Sequence, residues 1–184
     1  MFEEKLAVKL TKCLLKDSHL DNYLQAKIEY GIAILIVNLF KVIIIVASAE
    51  IFFSLSSTLY CYIPYCIIRS NSFGYHAKTS LVCSVQSILA FSIVPFIIKT
   101  GEYSVGKLVQ VVVIIPLVYL LSKTAPSLKK NRSISSKKKK ILKNKSIFTT
   151  TALFSLSLTF SSINSTITFF GIVLVIILTI PNKF

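Results

Sequence analysis

Apolar runs of about 15 to 20 residues, separated by short polar joints, recur along this chain from residue 31 to residue 180. Helices crossing a bilayer core about 30 Å thick need runs of that length. The pattern predicts six spans, at 31–49, 51–68, 81–98, 106–122, 146–162 and 164–180. The joints are Glu50, a polar island at 69–80, the 99–105 stretch, a basic loop at 123–145 and a tight turn near Asn164. Pro95 and Pro116 fall inside spans, where neighbouring helices can satisfy the freed carbonyls. Ahead of the spans, residues 1–30 carry five basic and five acidic side chains. Phe2, Leu6, Leu10, Cys13, Leu14 and Leu20 recur among them at roughly helical spacing, with His19 on the polar side. That reads as an amphipathic helix lying on the membrane surface. The expected fold class is all-α: a polytopic membrane protein of six transmembrane helices behind an interfacial N-terminal helix, one domain over 1–184.

Composition strengthens the membrane reading. The chain is 54% hydrophobic and 15% charged, against about 25% charged in a soluble domain. The N-terminus lacks the basic, apolar and small-residue succession of a cleaved signal peptide, so its first segments are expected to remain. The net charge of +14 is concentrated, for residues 123–145 hold ten Lys or Arg and no acid. In a soluble protein such a run suggests nucleic acid. Between two spans it marks a cytosolic loop, so anionic lipid is the expected partner and nucleic acid is not. Spans three and four then return the 69–80 island to the cytosolic side, and parity puts both termini there. The outer joints carry Glu50 and Glu102, two of only seven acids.

Four cysteines (Cys13, Cys61, Cys66 and Cys83) sit where a disulfide framework is not implied, two of them inside an apolar run. Neither histidine has a carboxylate cluster near it, so no metal or other cofactor is expected. Lys41 and Asn38 lie within the first span, and an intramembrane Lys is either functional or snorkels to an interface. Hydroxyl residues crowd spans five and six, which suits close helix packing and leaves a homodimer possible.

One place offers nucleophilic chemistry. His76 and Cys83 stand at the head of the third span, within a catalytic loop at 69–83. On one straight helix a spacing of seven would hold them about 10.5 Å apart along the axis, too far for a hydrogen bond. A working pair therefore needs the helix to begin after His76, with the preceding loop folded back. Gly74 gives the backbone freedom, and Thr79 or Ser80 can cap the helix. Cys83 would then meet the positive helix end, which favours negative charge on sulfur, and free N–H groups there could hold an oxyanion. Asn71 and Gln86 are the candidates to orient the imidazole. Arg69 either anchors the cytosolic edge or grips a substrate carboxylate.

Arg69, the Gly74-Tyr75-His76-Ala77 string and Cys83 seven residues after His76 make the chain resemble AgrB, a family of membrane cysteine endopeptidases in Gram-positive peptide quorum sensing. The amphipathic start, the six spans and the Lys-rich loop after Ala125-Pro126 agree, so the likeness covers essentially the whole chain. Many members have a second Gly just before the string, where this chain has Phe73. The resemblance implies Cys83 as nucleophile and His76 as base, cutting an AgrD-type propeptide and passing a thioester on to a thiolactone or lactone. It also implies that the basic loop, Lys129 and Lys130 included, attracts the acidic tail of that peptide. Two rival readings stay open: a non-catalytic peptide exporter lined by Lys41, Asn38 and the hydroxyl-rich spans, and an acyltransferase using the same thiol.

Overall fold

The computed structural model describes residues 22–52, 54–74, 80–127 and 135–180, together with Lys9 and Cys13. Among the described residues from Asn22 onward, seven α-helical elements follow one another: α1 (Asn22–Ile51), α2 (Leu55–Ser72), α3 (Ser80–Ile88), α4 (Val94–Thr100), α5 (Lys107–Thr124), α6 (Ser136–Ser157) and α7 (Ser162–Leu178). A π-helical turn, Leu89–Ile93, carries α3 into α4. The chain divides into two compact units, Met1–Ala47 and Ser48–Phe184.

In the first unit, the expected interfacial helix falls mostly outside the described residues, as does His19; Lys9 and Cys13 are helical and exposed. Tyr30–Ile51 is a stretch of 22 residues that contains an 18-residue window of mean hydropathy 2.6. At 1.5 Å per residue it extends about 33 Å, enough to cross a bilayer. Lys41 stands at its middle, half-buried, and Asn38 is exposed.

The second unit is built around α7. That helix packs on α2, α5 and α6, and α2 also packs on α6. The core comprises Ile68 of α2, Ile114 and Leu121 of α5, Phe154 of α6, and Phe169, Ile172, Val175 and Ile176 of α7. Gly171 lets α7 approach α2 backbone to backbone, because a Cβ there would run into the Cys61 carbonyl. Gly171→Val should therefore cost about 1–3 kcal/mol through overpacking. The readout is a lower thermal midpoint in detergent, and an unchanged midpoint would mean the two helices are not in this contact.

Hydroxyls of the last two helices divide between packed and open positions, for Thr151, Ser155 and Ser162 are exposed. Ser146, Thr150 and Ser157 of α6 and Ser165, Thr166 and Thr168 of α7 are buried. Thr150, Ser157 and Thr168 donate to carbonyls of their own helices, at 2.7 to 2.9 Å. At the same end as the α6–α7 turn, fully buried Gln110 donates to Val105 O and accepts from Ser165 Oγ. Lys107 Nζ donates to Leu158 O at 2.8 Å. A cation there complements the negative end of α6.

Val82–Thr100 and Lys107–Thr124 join Tyr30–Ile51 as stretches long and apolar enough to cross a membrane, while the apolar α7 is shorter. Several expected boundaries move. The loop expected over 123–145 is much shorter, for α5 runs through Thr124 and α6 begins at Ser136. Lys137 to Lys140, Lys143 and Lys145 are thus helical, in keeping with the good helix propensity of Lys. Asn164 lies within α7, and the turn sits at 158–161 instead. The π-helical turn was not foreseen. It precedes Pro95, whose ring would clash with the Phe91 carbonyl in a regular helix, and one extra residue in the turn removes that clash.

Candidate active site

Three helix ends meet where α2 closes. Arg69 and Asn71, expected in a loop, belong to the last turns of α2. The helix stops because Phe73 takes φ 56°, ψ −145°, and its N–H donates to Arg69 O at 3.0 Å. Gly74 follows with φ 130°, a region that L side chains rarely enter. Phe73 pairs in parallel with Ser127, whose N–H donates to Ser72 O at 3.0 Å. Ser127 comes directly after the end of α5, where Ala125 is extended, as a residue preceding proline must be. The Ala125–Pro126 bond is cis. A hydroxyl pair, Thr124 Oγ1 with Thr179 Oγ1 at 2.9 Å, fixes the end of α5 to the end of α7.

Gly74 is the centre of this junction. A Cβ on it would lie 2.6 Å from Leu178 O and 2.8 Å from Arg69 Nη1. Arg69 thus sits beside the carbonyl end of α7 as well as in the last turn of its own helix, both favourable places for a cation. Its guanidinium also lies over the Tyr65 ring, 5.8 Å from the centroid. Arg69 accordingly ties α2, α7 and Gly74 together.

Cys83 occupies the first described turn of α3 and is half-buried. Its carbonyl accepts from Ser87 Oγ at 2.8 Å. The same helical rod turns Phe91 edge-on to Tyr65 and Tyr62 of α2, at 4.7 and 5.1 Å between centroids. Gln86, proposed to share the face of Cys83, is exposed, and the Asn71 amide donates to Ile67 O of its own helix at 3.2 Å. His76, Thr79, Lys129 and Lys130 lie outside the described residues.

Tyr65 and Ser127 were missed by sequence reasoning. Tyr65 had a signal, for it precedes Arg69 by four residues and so shares its helix face. Ser127 had none, because its contact is long-range. An apolar cavity of about 400 Å³ between α2, α6 and α7, which includes Ser56, Tyr60, Leu156 and Phe160, touches none of the described island residues.

Positive charge gathers in the segments that flank Ser127 along the chain. From residue 103 to residue 184 the chain has no Asp or Glu. The lysines at 137–140 are exposed in the first turns of α6, and Lys123 Nζ lies 5.4 Å from the Tyr119 ring centroid.

The chain as a whole is similar to known proteins. The accessory gene regulator protein B of Staphylococcus intermedius is 33% identical over 144 residues, covering 78% of this chain and 73% of that one. Its namesake in Staphylococcus epidermidis is 28% identical over 184 residues, covering 98% and 92%. The Staphylococcus haemolyticus protein of that name is 31% identical over 134 residues, covering 70% and 69%. No solved structure matches the chain. With the family model for accessory gene regulator B matching residues 4–180, the chain belongs to that family.

Proposed function

We propose that this protein is a membrane cysteine endopeptidase that matures an AgrD-type propeptide for quorum sensing, with Cys83 as nucleophile and His76 as general base. The observation that carries the reading is the convergence of Gly74, Ser127 and the α7 terminus where the 69–83 segment leaves α2, with Cys83 half-buried in the first described turn of α3 at the other end of that segment. Chain connectivity alone keeps the His76 backbone within about 7 Å of Gly74. The reading requires the imidazole side chain from there to reach the Cys83 thiol at the mouth of α3.

The chemistry runs in two acyl transfers. The Cys83 sulfur attacks the scissile carbonyl while His76 takes the thiol proton. Free N–H groups in the first turn of α3 hold the oxyanion. Collapse expels the C-terminal fragment as an amine, which receives the proton from His76, and leaves the N-terminal part as a thioester on Cys83. A thiol of the substrate then attacks that thioester, closing a ring and returning Cys83 to its thiol. Exchange of thioester for thiolactone is nearly balanced in energy, so the activation of the first step is preserved so long as water is kept out.

Six spans with the catalytic end in the cytosol complete the proposal. The basic residues of 123–145 then face anionic headgroups and the acidic part of the substrate, and Lys129 and Lys130 take part in that attraction. The test is intact-mass analysis of the protein incubated with a propeptide whose ring-closing Cys is replaced by Ala. An acyl adduct should accumulate on Cys83 and be released by hydroxylamine. Fragment release with no adduct on Cys83 would refute the covalent route.

A further inference from the structure

We propose that Ser127 is a positioning residue for the cleavage reaction, acting through its main-chain N–H to hold Phe73 in the left-handed conformation that launches the catalytic loop. This rests on the peptidase reading above and adds to it a residue on a different segment of the chain.

Phe73 is not a glycine, yet it has φ 56°. A residue with a Cβ stays in that region only when its surroundings impose it. Two backbone hydrogen bonds bracket the position: Phe73 N–H to Arg69 O, and Ser127 N–H to Ser72 O, both at 3.0 Å. The first belongs to α2 itself and would close the helix whichever way the chain left it. The second comes from another part of the protein and fixes the exit direction. Ser127 is itself well held. Buried Ala125 donates to Leu121 O at 2.8 Å, and the Thr124–Thr179 hydroxyl pair secures the end of α5. Only Gly74 and Tyr75 separate Phe73 from His76, so a changed φ at Phe73 would redirect the loop that delivers the imidazole.

The Ser127 side chain is dispensable in this account and its N–H is not. Ser127→Ala keeps the donor, whereas Ser127→Pro deletes it. Glycine enters the left-handed region without an imposed cost, so Phe73→Gly should make the loop less dependent on the Ser127 donor. The experiment compares Ser127→Ala, Ser127→Pro and the Ser127→Pro/Phe73→Gly pair, in the full-length protein in detergent, by kcat for propeptide cleavage and by amide exchange over residues 70–80. Ser127→Ala should match the unmodified protein. Ser127→Pro should lower kcat roughly tenfold, the kinetic equivalent of about one hydrogen bond, and speed exchange. The pair should recover most of the lost rate, which a general folding defect would not do. Equal rates and equal exchange for the Pro and Ala variants would overturn the proposal, as would a pair no faster than Ser127→Pro alone. Exchange that responds as expected, with no cleavage even by the unmodified protein, would keep the clamp and overturn the peptidase reading.

Discussion

Cys83→Ala should stop release of the C-terminal fragment from the propeptide, with a loss on the order of 10³-fold or more. His76→Ala should lose about 10²- to 10⁴-fold, the usual worth of a general base. Two of the other three thiols provide internal controls. Cys61 is fully buried, with its Sγ 3.9 Å from Ala90 O, and its carbonyl faces Gly171, so its replacement acts on packing. Cys13 is exposed, and Cys13→Ser should cleave at the unmodified rate. Cleavage is followed by mass spectrometry of the released fragment, with the membrane abundance of each variant measured alongside. Persistent cleavage by Cys83→Ala at normal abundance would remove the nucleophile from the mechanism and favour the exporter reading, in which intact peptide is moved.

The apolar runs located the helices well because hydropathy is additive along a chain. Spans expected at 51–68, 81–98 and 106–122 became helices or helical rods at Leu55–Ser72, Ser80–Thr100 and Lys107–Thr124. Errors fell where charge or polarity was taken to mean loop. Lys137 to Lys140 are solvated, yet solvation does not decide backbone conformation, and they begin α6. Arg69, Ser70 and Asn71 extend α2 for the same reason; Ser70 Oγ and Asn71 Nδ2 both donate to Ile67 O.

The scaffold around the proposed site was not legible in the sequence. Cys83, with a polar Gly-containing segment before it, could be read from one stretch of sequence. The pairing of Phe73 with Ser127, the approach of Gly74 to Leu178 and the hydroxyl pair Thr124–Thr179 join segments far apart in the chain. No local pattern encodes them. The left-handed Phe73 was hidden for a related reason, since its conformation is imposed by that distant partner and opposes its own preference.

Gly74→Ala should depress cleavage by roughly 10- to 100-fold while leaving Cys83 in place. Two separate costs meet at this position. The φ of 130° strains any residue bearing a Cβ, by about 1–3 kcal/mol. The added methyl would also stand 2.6 Å from Leu178 O, a backbone atom at the end of a helix packed into the core, which cannot move aside cheaply. The second neighbour, Arg69 Nη1 at 2.8 Å, is the tip of a flexible side chain and can yield, but only by leaving the Tyr65 ring. Either response shifts the loop that carries His76 without touching sulfur. Alkylation of Cys83 by iodoacetamide should therefore continue in Gly74→Ala while fragment release falls, and a larger residue such as Val should lose still more. If Gly74→Ala cleaves at the unmodified rate, the junction of Gly74, Arg69 and Leu178 does not position the catalytic loop, and the geometric support for pairing His76 with Cys83 fails with it.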